Sequence, residues 1–198
     1  KYYNELDDKG KQYIEFAVDG AHRMRNIILD ILEYSKIGKV EEENQSIDLN
    51  KIMDEVCKMN AQKIQETNAI IQYKNLPEII APKSPLIQIM HNLIGNALKY
   101  QKPNNQPIIK IKVTEHDKNW HFKIKDNGIG IEEEYLNKIF IIFQRLHTKN
   151  EYSGNGMGLA IVKKLIENLN GKIWVKSQPN NGSTFYFTLQ KNEYSKKN

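Results

Sequence analysis

The stretch from Gln88 to Tyr100 constrains the fold most, because its residues divide into two sharply different helical faces. At helical spacing Asn92, Asn96, Lys99 and Tyr100 fall at i, i+4, i+7 and i+8 on one face. The opposite face is apolar and consists of Leu86, Met90, Leu93 and Ala97. The amide oxygen of Asn96 is a ligand that Mg²⁺ accepts beside phosphate oxygens, and the Lys99 ammonium can neutralise phosphate charge. Taken alone, the pattern is more typical of a solvated polar stripe, so the choice depends on two glycine-rich stretches downstream.

The first glycine-rich stretch, residues 126–130 (DNGIG), follows a predicted strand. Gly128 and Gly130 allow the backbone to turn sharply and to approach a flat ligand closely. The Asp126 carboxylate at the strand end can accept a hydrogen bond from an exocyclic amine, which favours adenine over guanine. The stretch is also an ordinary turn sequence, so by itself it is a weak indication of a purine site.

The second stretch, residues 154–158 (GNGMG), directly precedes a strongly helical segment at residues 159–169. Glycines that open a helix leave backbone N–H groups unpaired and place the positive end of the helix dipole on a bound anion. This stretch therefore favours a phosphate site over a plain loop.

Alternating apolar and polar residues predict several strands. Residues 108–114 and 120–125 pair across a short turn, and residues 172–176 and 184–189 flank the turn from Asn180 to Gly182. Further strands are predicted at 46–50 and 69–74, and helices at 52–64, at 84–100 with Ser84 as its cap, at 136–143 and at 159–169.

Residues 11–37 carry an apolar heptad seam formed by Ile14, Ala17, Ala21, Met24, Ile28 and Ile31. The pair Lys9 and Gly10 predicts a turn before this helix, and Tyr2, Tyr3 and Leu6 predict the end of an earlier helix. A single helical hairpin buries such a seam poorly, so a second copy is expected to complete a four-helix bundle. The alternative is that the seam docks on the domain that follows. His22 flanks the seam without a base or a metal partner, and we expect it to be structural.

Composition limits the class of protein. The chain has 198 residues, 39% hydrophobic and 27% charged, which is typical of a globular protein. No apolar run in the sequence is long enough to cross a bilayer, and its first residues do not resemble a signal-peptide core, which favours the expectation of a domain of cytoplasmic character. Cys57 is the only cysteine, which excludes an internal disulfide and a cysteine zinc site. The net charge is +5, but the lysines are scattered among acidic residues, so no nucleic-acid partner is predicted.

Five motifs in one order resemble the nucleotide-binding boxes of sensor histidine kinases of two-component systems. They are residues 92–100 (NLIGNALKY), 126–130, 140–145 (FIIFQR), 154–159 (GNGMGL) and 182–185 (GSTF). The resemblance implies an α+β fold, a two-layer α/β sandwich of the Bergerat type in which helices cover one face of a mixed sheet. It divides the chain into a partial dimerisation and phosphotransfer hairpin (1–38), a linker (39–46), a catalytic ATP-binding domain (47–190) and a basic tail (191–198).

The resemblance also implies roles for single residues in binding ATP and Mg²⁺. Asn96 is expected to ligate Mg²⁺, and Asn92, Lys99 and Tyr100 are expected to line the triphosphate. Asp126 is expected to hold the adenine amine, with Thr184 nearby through water. The remaining residues are expected to shape the pocket, to form the hinge of a lid over ATP or to anchor that lid: Gly128, Gly130, Gly154, Gly156, Met157, Gly158, Leu159, Phe140 and Phe143. Arg145 is a further expected phosphate contact from the lid.

Two departures from related patterns refine this expectation. Kinases of this family phosphorylate a histidine in the pattern His-Asp/Glu-x-x-x-Pro, which none of the chain's histidines has. The chain is therefore expected to begin just after the acceptor and not to phosphorylate itself. Related gyrase-like and chaperone-like ATPases carry a Glu four residues before the metal-binding Asn, where this chain has Asn92, which cannot take a proton. We therefore expect slow hydrolysis and transfer of the γ-phosphate to a histidine.

Three functions are compatible with these sequence patterns. The first is an ATP-dependent protein-histidine kinase that dimerises through its hairpin and passes phosphate to the receiver domain of a response regulator. The second is an ATPase or serine kinase of the same superfamily, which Asn92 disfavours. The third is a nucleotide-binding scaffold without transfer. Membrane contact is expected only through regions outside this sequence, which leaves open whether the full protein is anchored in a membrane.

Overall fold

The computed structural model describes residues 3, 6–38, 42–144 and 155–191. The chain divides into two compact units, Lys1–Lys36 and Ile37–Asn198. Within the described ranges, no helix combines the length and the apolar character that a membrane span requires.

The first unit is dominated by one long helix, α1 (Asp8–Lys36). Its first turn is capped by the Asp7 carboxylate, which accepts a hydrogen bond of 2.7 Å from the Gly10 backbone N–H. The predicted turn at Lys9 and Gly10 is therefore wrong, because capping by Asp7 carries both residues into the helix. No residue of α1 is buried, and its apolar seam is exposed. The predicted earlier helix falls largely on residues outside the described ranges.

The second unit contains the remaining helices and strands. In chain order they are β1 (Gln45–Asp48), α2 (Leu49–Met59), α3 (Ala61–Thr67), β2 (Ile70–Gln72), β3 (Glu78–Ala81), α4 (Lys83–Lys99), β4 (Ile108–His116), β5 (Asn119–Lys125), α5 (Gly158–Asn168), β6 (Ile173–Ser177) and β7 (Ser183–Gln190).

The helix predicted over residues 136–143 is replaced by two short 3₁₀ turns, Glu133–Tyr135 and Lys138–Phe140. The apolar spacing is correct, but Ile141 adopts an extended backbone conformation (ψ 138°) and Phe143 has a positive φ of 61°. Both conformations are incompatible with a continuous α-helix.

Strands β2, β4, β5, β7 and β6 form one sheet in that order. Strand β2 runs parallel to β4, and the other neighbours are antiparallel, so the sheet is mixed. Strands β1 and β3 form a separate antiparallel pair. Alternate strand residues are buried, and Phe122 and Phe187 stack across β5 and β7 with ring centroids 4.3 Å apart. Helices α2, α4 and α5 supply the other half of the core, which confirms the α+β class.

The start of α4 is capped from a distant part of the chain. The Glu42 carboxylate accepts hydrogen bonds from the backbone N–H groups of Lys83 (3.0 Å) and Ser84 (3.1 Å). Ser84 is therefore not the cap that the sequence predicts, because it lies inside the helix and contributes only its backbone N–H group. A residue in the middle of the predicted linker thus caps the helix that carries Asn92 and Asn96.

We expect Glu42→Ala to lower the free energy of unfolding by about 1 kcal/mol, because two N–H groups and the helix dipole lose their carboxylate. Ser84→Ala is the matched control and is expected to stay within about 0.5 kcal/mol of the original protein, because it removes no capping group. Urea unfolding followed by circular dichroism measures both. A larger loss for Ser84→Ala than for Glu42→Ala would contradict the assigned cap.

Candidate functional site

The Asp126 carboxylate joins the end of β5 to the start of β7. Its Oδ1 atom accepts hydrogen bonds from the backbone N–H groups of Gly128 (2.8 Å) and Ser183 (3.1 Å). The Asp126 backbone N–H in turn donates to the Ser183 carbonyl oxygen over 2.9 Å. The side chain is buried, at 7% exposure, yet its Oδ2 atom makes no hydrogen bond with any residue that the structure describes. One oxygen is thus fixed in place, and the other remains available to a donor on a ligand.

Burial raises the pKa of Asp126 above its ordinary value of 3.8. The hydrogen bonds from the backbone N–H groups of Gly128 and Ser183 act in the opposite direction, because they favour the ionised form. A ligand donor bound at Oδ2 would favour the ionised form further.

Ser183 occupies the place near Asp126 that the sequence assigned to Thr184. Ser183 is buried, and its hydroxyl lies 2.9 Å from the Ser177 hydroxyl, which donates to the Gly182 carbonyl. Thr184 pairs with Lys125 and Lys176 across the neighbouring strands, so its side chain is on the opposite face of the sheet. The one-residue difference follows from strand alternation, which a motif match alone does not resolve.

The loop after Asp126 is held closely between α4 and the β6–β7 turn. The Ile129 N–H donates to the Tyr100 carbonyl at the end of α4 (3.1 Å), and the Ile129 carbonyl accepts from the Asn180 N–H (2.6 Å). At Gly128 a methyl group would overlap the Tyr100 carbonyl oxygen, and Gly130 has a φ of 75°. Glycine is therefore required at both positions, at Gly128 for space and at Gly130 for conformation.

The polar face of α4 is half-buried and lies beside the start of α5. The Asn92 side-chain nitrogen donates to the Gln88 carbonyl over 3.0 Å. Its oxygen faces Gly158, where an added Cβ atom would lie only 2.8 Å away. The Asn96 amide makes no hydrogen bond with another described residue, and the Lys99 ammonium donates to the Tyr100 hydroxyl over 2.8 Å. Helix α4 thus carries two amides and an ammonium, and the phenol of Tyr100 follows directly after its last residue.

Helix α5 begins at Gly158, directly after Gly156 with a φ of 77° and the buried Met157. Its N-cap residue, Met157, makes no side-chain capping hydrogen bond. The leading N–H groups of any helix, here including that of Leu159, have no intrahelical partner. These groups and the helix dipole suit an anion. Gly154 and Arg145 lie outside the described residues. Phe140 is half-buried, and Phe143 is 44% exposed.

The ligand set fits Mg²⁺ and disfavours a dedicated metal cage. Within the ranges that the structure describes, no group of three or more His, Cys, Asp or Glu residues could hold a metal ion. Mg²⁺ commonly keeps several waters and binds through one or two protein oxygens and substrate phosphates. The half-buried amide oxygen of Asn96 is a suitable single protein ligand.

Residues 82–193 match the profile of the family described as histidine kinase-, DNA gyrase B- and HSP90-like ATPases. The chain belongs to this family, and the matched part is its ATP-binding domain. The match confirms the resemblance that the five motifs indicated.

Its relatives include a phytochrome-like protein and a sensor protein of respiration control. The chain is 41% identical over 189 residues to the phytochrome-like protein Cph1 of Synechocystis, and 30% identical over 194 residues to the aerobic respiration control sensor protein ArcB of Escherichia coli. These alignments cover 96% and 93% of this chain. The chain spans about a quarter (25%) of the length of each of these relatives.

Solved structures of histidine kinases share the fold. The catalytic domain of histidine kinase ThkA aligns with a TM-score of 0.63 at 28% identity, covering 75% of this chain and 96% of that domain. ThkA in complex with the response regulator protein TrrA aligns with a TM-score of 0.68 at 27% identity, covering 95% of this chain and 54% of that chain. Full-length ShkA in complex with AMPPNP has the same fold, with a TM-score of 0.73 at 22% identity over 94% of this chain and 40% of that chain.

Two glycine substitutions test the packing of the site. We expect Gly128→Ala to destabilise the protein by about 1–3 kcal/mol, because the added methyl group meets the backbone at Tyr100, which cannot rotate away. Gly95→Ala inside α4 is the control, because its added Cβ would lie 3.9 Å from Asn60 Oδ1, an ordinary van der Waals distance. It is expected to stabilise the helix by up to about 1 kcal/mol. Equal effects of the two changes in urea unfolding would contradict this packing.

Proposed function

We propose that this chain is the catalytic portion of a two-component sensor histidine kinase. In this proposal residues 47–190 bind Mg-ATP and present its γ-phosphate to a histidine on a helical hairpin, of which residues 1–38 form part. Residues 39–46 link the two, and residues 191–198 are a tail. The observation that carries the proposal is a buried carboxylate with one fixed and one available oxygen, Asp126, in the same unit as an uncapped helix start beside Asn92.

Adenine recognition would rest on Asp126. Because its Oδ1 is occupied by two backbone donors, Oδ2 would accept a hydrogen bond from the exocyclic amine of adenine. Guanine presents a carbonyl oxygen at that position, which a carboxylate repels. Ser183, which packs beside Asp126, is the better candidate than Thr184 for supporting this contact.

The phosphate end of the site would be formed by α4 and α5. The first N–H groups of α5 and the Lys99 ammonium would neutralise phosphate oxygens, and Asn96 would hold Mg²⁺. Mg²⁺ held by Asn96 would supply charge neutralisation at the phosphate to be transferred. The protein's part is positioning, which is the main requirement of phosphoryl transfer.

Asn92 favours transfer over hydrolysis. Its amide cannot accept a proton from water, and its nitrogen is already committed to the Gln88 carbonyl. Hydrolytic ATPases of the superfamily resemble one another in carrying a Glu at this position, which can act as a general base. Asn92 cannot take that role. An imidazole nucleophile brought by the hairpin needs no such base in its neutral form.

The proposed partners are a second copy of the chain and a response regulator. Helix α1 exposes its whole apolar seam within the described residues, as expected of a helix that completes a four-helix bundle in a homodimer. The similar kinase ThkA was solved in complex with a response regulator, which supports a receiver domain as the onward phosphate acceptor.

A transfer assay tests the proposed function. The chain is incubated with labelled ATP and Mg²⁺, with or without a separate helical hairpin that carries the acceptor histidine of the full protein. We expect acid-labile label on the hairpin, no stable label on the chain alone, and no label on a hairpin with that histidine changed to glutamine. Phosphate release without transfer would favour a superfamily ATPase, and nucleotide binding without turnover would favour a scaffold.

Asp126→Asn tests the adenine contact by calorimetry with Mg²⁺ and ADP. Affinity is expected to fall about 10- to 150-fold, because the asparagine keeps an oxygen toward the two backbone donors and turns its NH₂ group toward the adenine amine. Asp117→Asn, an exposed turn residue at the other end of β5, makes the same chemical change and should leave affinity unaltered. Undiminished affinity in Asp126→Asn would remove the central contact of the proposal.

The pH dependence of ADP binding follows from the raised pKa of Asp126. Affinity is expected to fall as the pH is lowered through that pKa, because the protonated carboxyl loses an acceptor. The contribution of Asp126 to folding stability has the opposite sign: burial favours the neutral form, so stability is lost as the pH rises from 3.8 through the folded-state pKa. In Asp126→Asn, the pH dependence of ADP affinity and the contribution of this residue to the pH dependence of stability should both disappear. Calorimetry and urea unfolding at a series of pH values above 3.8 would measure them.

A further inference from the structure

The face of the five-stranded sheet opposite the helices carries a cluster of lysines. Strand alternation and pairing bring together Lys110 and Lys112 of β4, Lys123 and Lys125 of β5, and Lys176 of β6, and all five are exposed. We call these five residues the lysine face. With strands about 4.8 Å apart and alternate residues about 7 Å apart, the cluster covers roughly 14 by 7 Å.

The pairing within this cluster is electrostatically unfavourable. Lys110 lies directly opposite Lys125, and Lys112 lies directly opposite Lys123. Like charges in directly opposed positions destabilise a sheet. Lys123 lies over the Tyr186 ring at 5.8 Å, but no lysine of the cluster forms an ion pair with a described residue.

The strands supply no compensating acid on this face. The only acidic residue of the five strands is Glu115, which pairs with Trp120 on the helix-facing side of the sheet and forms a 2.7 Å ion pair with Lys191. The neighbours of the lysines on the outer face are neutral residues, including Thr184, Tyr186 and Trp174. An uncompensated positive cluster of this kind fits an anionic partner.

The composition of the face indicates what kind of anion it fits. Nucleic-acid platforms place free aromatic rings on central strands, whereas here lysines occupy β4 and β5, and the two rings of Trp174 and Tyr186 stack on each other at 5.5 Å. Specific protein interfaces are depleted of lysine at their centres and enriched in arginine and aromatic residues. A broad lysine face without arginine instead suits an extended surface of negative charge, because the lysine ammonium is a point charge that needs no bidentate partner.

We propose that the lysine face binds peripherally to the surface of a bilayer that contains anionic lipids. Lysines attract an anionic leaflet individually, by about fivefold in partition per residue, without needing defined pockets. Trp174 and Tyr186 flank the cluster with the amphipathic rings that favour a membrane–water interface. Helix α4 with Asn92 and Asn96 lies in the other layer, so binding through this face leaves the proposed nucleotide site open.

Vesicle sedimentation tests the proposal on the whole chain. We expect the protein to sediment with phosphatidylcholine vesicles that contain about 30% phosphatidylserine and not with pure phosphatidylcholine vesicles. The change Lys112→Gln with Lys123→Gln should weaken the partition about 30-fold. Raising the salt from 0.1 to 1 M should release the protein, because the Debye length falls from about 10 to about 3 Å.

The matched control is Lys51→Gln with Lys58→Gln, which removes the same charge from exposed positions of α2. It should keep its partition within about twofold, and both double variants should keep their ADP affinity, which also reports that they fold. An equal loss in the two variants would overturn the proposal, because net charge alone would then be responsible. The proposal would also be overturned if the protein did not bind phosphatidylserine vesicles. It would likewise be overturned if the protein bound a single-stranded oligonucleotide or a polyglutamate peptide more tightly than the vesicles, and if Lys112→Gln with Lys123→Gln abolished that binding.

Discussion

The contact on which this structure most depends is the buried Asp126 carboxylate between the backbone N–H groups of Gly128 and Ser183. A carboxylate buried in a protein needs such donors to offset the loss of hydration. Here the donors come from the loop after β5 and from the start of β7, which are distant in sequence and adjacent in the sheet. The same bonds that stabilise the charge also fix its free oxygen at the mouth of the proposed adenine site. One group therefore both joins two separated parts of the chain and offers the oxygen that would recognise adenine, although burial of its charge opposes stability.

Most of the fold could be predicted from the sequence, because the spacing of apolar residues and the turn-forming residues indicate the same elements. The antiparallel pair of β4 and β5, and helix α5 after its glycines, follow directly from alternation and helix-opening glycines. The predictions were wrong at positions where a residue distant in sequence, or the local backbone conformation, determines the secondary structure. Glu42, not Ser84, caps α4, and the extended Ile141 interrupts the helix that the apolar spacing suggested. Neither effect has a periodic signal in the sequence.

Within the candidate site, sequence motifs identified the residue types more securely than the exact residues. Asn92 lies beside Gly158, and Asp126 lies beside Gly128 in the same unit of the chain. The choice between Ser183 and Thr184 depends on which of the two neighbouring residues faces the helices, and alternation along the strand decides that. Strand parity would have indicated Ser183, because Phe185 must be buried and Ser183 shares its face.

The lysines show the same principle at a larger scale. Along the chain they are interspersed with acidic and apolar residues, and they read as scattered charge. Repeats such as KIK on β4 and on β5 place them all on one face once the strands pair. This arrangement has no role in nucleotide binding, because the proposed phosphate groups would lie beside α4 and α5 in the other layer. The directly opposed lysine pairs lower the stability of the sheet relative to neutral side chains at the same exposed positions. Their placement therefore favours a binding role for the outer face of the sheet, separate from the proposed nucleotide binding on the side that the helices cover.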